Sequence, residues 1–313
     1  MGRTAESVKL DEETLKIMER VLGAEHPDTL KTKYNLAIGY AQLGRTADAV
    51  KLWEETTKIS ERVLGAEHPD TLTTRNNLAT GYAELGRTVD AVKLWEETLK
   101  IGERVLGAEH PDTLKTRHNL AKAYYLLGRT AEAVKLTEET LEIRERVLGA
   151  EHPDTLTTRV NLASGYRAMG RTAEAVKMAE ETLQISERVL GAEHPDTPST
   201  RNNLANGYYD LGRTADAVKL WEETLKVMDR VLGAEHPDTL STRNNLASGY
   251  LALGRTADAV KLWEETLKIS ERVLGAEHPD TLKARKVLAY GYRALGRTAD
   301  ADALGDTGIP SQR

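Results

Sequence analysis

His-Pro-Asp-Thr recurs at His26, His68, His110, His152, His194, His236 and His278, always 42 residues apart, with near-identical text between the copies. A period of that length means one supersecondary unit stacked in series, so the chain cannot be an ordinary globular domain. Its 313 residues then form one body that grows by units.

One copy, from His68 to Glu109, shows what the unit is. Pro69 suits a first helical position, where its missing N–H is no loss, and Asp70 complements the positive helix end. Leu72, Leu78, Ala79, Tyr82 and Leu85 follow at helical spacing, and Gly86 closes the helix in the left-handed conformation. Thr88 is the expected N-cap of a second helix, which carries Ala91, Val92, Leu94, Trp95, Leu99, Ile101, Val105 and Leu106 up to Gly107. Its polar face holds glutamates and lysines such as Glu96 and Lys100, four apart in the favourable order. Neither helix can bury its apolar stripe alone, so neighbouring units must share a core.

Leu78, Ala79, Tyr82, Gly86, Ala91 and Trp95 resemble the tetratricopeptide signature, with Arg75 where a bulky residue is usual and Thr98 where a small one is. The tetratricopeptide period is about 34, and the extra residues here lengthen the second helix by about two turns. The 42-residue form, with His-Pro-Asp and Asn-Asn-Leu-Ala, is similar to the repeats of kinesin light chains. It also resembles the repeat tails of receptors that carry nucleotide-binding switch domains. The expected fold is an all-α, right-handed α-solenoid of antiparallel helix pairs. The expected role is peptide or protein recognition in its concave groove, as scaffold or sensor of a larger protein.

Residues 26–277 read as six complete repeats. Residues 1–25 read as a partial one, with Gly2-Arg3-Thr4 as the mid-unit turn and a second helix alone after it. Residues 278–304 read as a partial C-terminal repeat, and 305–313 as a disordered tail. Beginning within a unit points to a segment of a larger protein, and exposed repeat ends point to self-association. Asp11, where most copies have Trp, blunts the first end. Pro198 replaces the leucine of Leu72, Leu114 and Leu156, so the helix there should start late.

The copies differ at a few places only. One site reads Tyr34, Asn76, His118, Val160, Asn202, Asn244 and Lys286; the next turn reads Ile38, Thr80, Lys122, Ser164, Asn206, Ser248 and Tyr290. A third reads Ala41, Ala83, Tyr125, Arg167, Tyr209, Leu251 and Arg293. These lie on the first helix, which lines the groove in tetratricopeptide folds. The polar face of the second helix, with Lys93, Glu96 and Glu97, hardly changes, so the variation reads as a recognition surface rather than as drift. A constant row, Asn35, Asn77, Asn119, Asn161, Asn203 and Asn245, runs between the variable sites. Such amides can hold a peptide backbone or join neighbouring repeats to each other.

Lys31, Lys115, Lys122, Arg167, Lys283, Lys286 and Arg293, against Glu84 and Asp210, make the variable sites basic on a chain of net charge -6. An acidic peptide is the expected partner, steered by charge and gripped by Tyr34, Tyr125, Tyr209 and Tyr290. The net acidity argues against a nucleic-acid partner. The short apolar runs exclude a membrane span, and no signal-peptide core is present, so a cytoplasmic location is expected. With no cysteine, thiolate metal sites are excluded. Histidines of successive units stand about a helix-packing distance apart, about 10 Å, too far to share a zinc ion that needs ligands at about 2 Å. No cofactor, metal or catalytic constellation is expected.

Overall fold

The computed structural model describes residues 2–304, all of whose regular structure is helical. The expected tail, 305–313, lies outside the described residues. The chain divides into two compact units, residues 1–150 and 151–313. Unit 1 holds α1 (Gly2–Val21), α2 (Pro27–Gln42), α3 (Thr46–Val63), α4 (Pro69–Glu84), α5 (Thr88–Val105), α6 (Pro111–Leu126) and α7 (Thr130–Leu148). Unit 2 holds α8 (Pro153–Ala168), α9 (Thr172–Val189), α10 (Asp196–Asp210), α11 (Thr214–Val231), α12 (Pro237–Ala252), α13 (Thr256–Leu274), α14 (Pro279–Ala294) and α15 (Thr298–Ala303). Within each unit every helix packs on the next, and first helices also touch each other, α4 with α6 and α10 with both α8 and α12. Each unit is thus a run of an α-solenoid.

The helix starts have a specific chemistry. His68 is the N-cap of α4: its Nδ1 accepts from the Asp70 N–H at 3.2 Å, and Pro69 is the first helical residue. The other first helices except α10 repeat this cap, at His110 for example. The second helices start differently from expectation. Arg87, not Thr88, is the N-cap of α5, and no side chain caps the helix. Arg87 instead donates from Nε to Asp90 Oδ2 at 2.9 Å and lies over the Tyr82 ring, 4.0 Å from its centroid. Gly86 sits at φ +77°, the left-handed turn that lets the chain reverse between helices. Gly2-Arg3-Thr4 forms no such turn, because α1 runs through it. Elsewhere the turn is held by carbonyls of the helix before it, as in Arg87 N–H to Tyr82 O at 2.8 Å.

Small residues let the helices approach. Ala79 and Ala91 are fully buried beside Trp95, Leu99, Leu120 and Ala123. Gly81 lies against Val50 and Trp53, where a Cβ would come within 2.6 Å of the valine. Around this apolar core sits a buried cation. Arg75 donates from Nε to Thr98 Oγ1 (3.3 Å), from Nη1 to Glu61 (2.9 Å) and from Nη2 to Glu97 (2.6 Å). The two departures from the tetratricopeptide signature, Arg75 and Thr98, are therefore partners of each other. Lys33 takes the same place in the preceding copy, between Glu19 at 3.0 Å and Glu55 at 2.5 Å.

Pro198 delays its helix as expected. α10 begins at Asp196, one residue later than its counterparts, and His194 O accepts from Thr197 N–H at 3.0 Å. Elsewhere that carbonyl takes the leucine N–H, as in Leu72 to His68 at 3.0 Å, which proline lacks.

Candidate peptide-binding face

The second helices are committed to holding repeats together. Glu54 accepts from Tyr82 Oη of the next repeat at 2.8 Å, and Arg87 Nη1 stands 3.6 Å from the same carboxylate. Glu96 receives Tyr124 Oη at 2.8 Å and Arg129 Nη1 at 3.3 Å. Burial, with the Glu96 carboxylate beside it, pushes the Tyr124 phenol up to about 12. The constancy of Glu96, Glu97 and Arg87 thus has a structural cause. The polar face of the second helix is not a free solvated surface, and its constancy does not measure drift.

The first helices carry the varying residues, and the structure sorts them. In unit 1, Asn76 is buried rather than presented to a ligand: its Oδ1 accepts from Trp95 Nε1 at 2.9 Å and from Thr116 Oγ1 at 3.4 Å. Tyr34 is half-buried, its hydroxyl accepting from Asn77 Nδ2 at 2.9 Å. Asn119 Nδ2 lies 3.5 Å from Asn76 Oδ1. Asn35 and Lys122 are exposed, while His118 and Tyr125 are half-buried. The Tyr125 hydroxyl itself is enclosed without a partner, and burial pushes the phenol up to about 12.

In unit 2, Arg167 is half-buried and donates to Asp210 at 3.2 Å, so its charge is already paired. Tyr209 packs against Trp221, ring centroids 5.8 Å apart. Asn245 Nδ2 donates to Asn206 Oδ1 at 3.0 Å and to Asn202 Oδ1 at 3.4 Å. Asn244 is half-buried with its Oδ1 enclosed and unpartnered. Lys286 and Tyr290 are exposed, and Arg293 is half-buried. The asparagine row therefore joins neighbouring repeats at Asn77, Asn119 and Asn245. Asn35, Asn161 and Asn203 make no side-chain hydrogen bond among the described residues.

Clefts open between consecutive first helices, floored by the end of the second helix between them. In unit 1, one of about 160 Å³ is lined by Lys31, Tyr34, Asn35 and Asp70. In unit 2 a larger one, about 320 Å³, is lined by Asn161, Asn202 and Asn203 over Leu156, Val160 and Met228. Counting charge at the variable sites alone misses the constant aspartates, which enter both clefts: Asp70 in the first, Asp196 and Asp238 in the second. The basic character survives at exposed Lys31, Lys115 and Lys122 in unit 1 and Lys283 and Lys286 in unit 2. Among the described residues no group of three or more His, Asp or Glu could hold a metal ion, and no helix is long and apolar enough to cross a membrane.

Helix pairs stacked through small-residue contacts, with their varied residues on the first helices, define an all-helical repeat protein of the tetratricopeptide class. The chain belongs to the tetratricopeptide repeat family, whose model matches overlapping segments from residues 1–59 to 241–310. No curated protein matches the sequence. Among solved structures it is similar to nearly identical repeats of a putative kinesin light chain from Podosopora anserina. That match has 34% identity, covers 66% of this chain and 98% of the other, and has a TM-score of 0.56. It is also similar to a signal-transduction ATPase with a tetratricopeptide repeat sensor from Pyrococcus horikoshii (19% identity, 96% of this chain, 46% of the other, TM-score 0.64). The apo quorum sensor NprR of B. thuringiensis shares the fold at 16% identity, over 96% of this chain and 81% of its own, with a TM-score of 0.71.

Proposed function

We propose that this chain is a protein-recognition module that holds an extended, acidic segment of a partner along its first helices, as scaffold or sensor part of a larger protein. One observation carries the reading. The second-helix face is consumed by bonds between repeats, whereas the first helices keep exposed, varied side chains beside open clefts. Two proteins of the same fold are described as a sensor or as carrying one, which fits the role. Acidic side chains of the segment meet exposed Lys31, Lys115 and Lys122 in unit 1 and Lys286 in unit 2, where charge raises the rate of encounter. Arg167 contributes less, being paired with Asp210. Lys122→Glu combined with Lys286→Glu should weaken binding of selected acidic peptides by about tenfold or more, as one lost charge-assisted contact already implies, with no change in melting temperature. Equal binding by that variant would sink the acidic reading.

A second reading, self-association, is favoured by α1. Leu10, Ile17 and Val21 are 64%, 53% and 66% exposed. Their counterparts Leu52 and Ile59 are half-buried, and Val63 is 41% exposed. Light scattering across a concentration series should show mass rising with concentration; a constant monomer mass rejects this reading.

A further inference from the structure

The asparagine row follows a rule of register. Asn77 bonds Tyr34, Asn119 bonds Asn76 and Asn245 bonds Asn202, each reaching the residue 43 positions earlier on the preceding first helix. For Asn203 that residue is Val160, which offers no acceptor. The amide of Asn203 is left without a side-chain partner, half-buried on α10. It lines the 320 Å³ cleft together with Val160 itself.

The same cleft differs from those of unit 1 in charge. There an aspartate at the cleft has a lysine of the chain beside it in the lining, Lys31 with Asp70 and Lys115 with Asp112. At this cleft the lysine position is held by Thr157, Ser199 and Ser241, all of which line it. Asp196 and Asp238 therefore face it with no basic residue in the lining. The half-buried imidazoles of His194 and His236 stand 3.8 Å from Asp196 and Asp238 respectively. Below the acidic rim lies an apolar floor of Leu156, Val160, Leu190 and Met228.

We infer that this cleft receives a lysine or arginine side chain of the bound partner segment. Its aliphatic stem lies along Val160 and Met228, its cationic head reaches Asp196 and Asp238, and Asn203 bonds the segment's backbone. The stem and head of such a side chain match an apolar floor beneath a charged rim. Charge complementarity selects it: the partner supplies the cation that the chain's own lysines supply in unit 1. The inference rests on the recognition reading above, and adds that the segment is not acidic throughout. A basic residue of the segment enters this cleft of unit 2.

Random displayed peptides selected on the full chain test it. The recovered peptides should share a lysine or arginine at one position, and replacing that residue by norleucine should cost about tenfold in affinity, the scale of one charged hydrogen bond. Asp196→Asn with Asp238→Asn should cost the same and make the norleucine exchange silent. Ser199→Lys, which restores the lysine of the unit 1 clefts, should weaken those peptides without lowering the melting temperature, and this guards against a misfolded double variant. Peptides without a shared basic residue, or bound equally by both variants, overturn the cleft assignment while leaving recognition intact. Recovery of no peptide at all removes both.

Discussion

Arg75 is 7% exposed in a position that tetratricopeptide repeats give to a bulky apolar side chain. It is tolerated because its three donor groups are all met: Thr98 within the repeat, Glu97 on the same second helix and Glu61 on the one before. Arg75→Leu should cost about 1–2 kcal/mol, since it removes hydrogen bonds whose carboxylate partners stay solvated. Arg75→Leu with Thr98→Ala should cost less than the two single changes together, because the pair is one interaction. Urea unfolding of the four chains checks the cycle, and strict additivity would mean that the contact carries no coupling. The tyrosines give a pH test. Tyr124 and Tyr250 are held up to about 12 in the fold, first by burial and then by the carboxylates of Glu96 and Glu222. An unfolded tyrosine ionises near about 10, so the unfolded chain releases its protons first. Stability from these groups is complete below that pH and declines as pH rises toward 12. The urea midpoint should fall between about pH 9 and 11, and fall less in Tyr124→Phe.

At the scale of an element, α10 shows how one residue sets a helix start. Pro198 is buried, yet cannot donate to His194 O, so the helix begins one residue late and Thr197 takes over that carbonyl. Thr197 Oγ1 also donates to Gly191 O at 2.8 Å, while the hydroxyls of its counterparts Thr71 and Thr113 are enclosed without partners. Pro198→Leu should restore the ordinary start and add about 1 kcal/mol, the net worth of one backbone hydrogen bond. Amide exchange would then protect residue 198 itself, and a lowered urea midpoint would contradict the assignment. The second helices carry a different lesson. Arg87 and Glu96 look like solvated surface in the sequence, but Arg87 stacks on Tyr82 and stands 3.6 Å from Glu54 of the preceding repeat, and Glu96 accepts from Tyr124 of the next. The only signal for that role was their constancy between copies.

At the scale of the molecule, stability comes from repeated joints rather than a single core. The Tyr82–Glu54 bond in unit 1 and the Tyr250–Glu222 bond in unit 2 are both 2.8 Å and share no partner. Tyr82→Phe and Tyr250→Phe should each cost about 1 kcal/mol, and the double variant should lose the sum within about 0.5 kcal/mol. A larger deviation in the urea midpoints would mean that the two joints are energetically coupled.

The 42-residue period, the Pro-Asp helix starts, the glycine turns and the helical spacing of the apolar residues determined the fold in the sequence alone. These are local rules: a proline, a cap or a left-handed glycine acts within a few residues of itself. The late start at Pro198 was legible for the same reason. The candidate face was only half legible. Sequence located the varying residues, but not that Asn76 is buried under Trp95, that Arg167 is spent on Asp210, or that three asparagines of the constant row bond their neighbours. Each of those facts is a contact between side chains of different helices, most of them a whole repeat apart, and it depends on which residue the neighbouring copy places opposite. Identical text cannot reveal it. Val160 opposite Asn203 is decisive only once the two helices lie side by side.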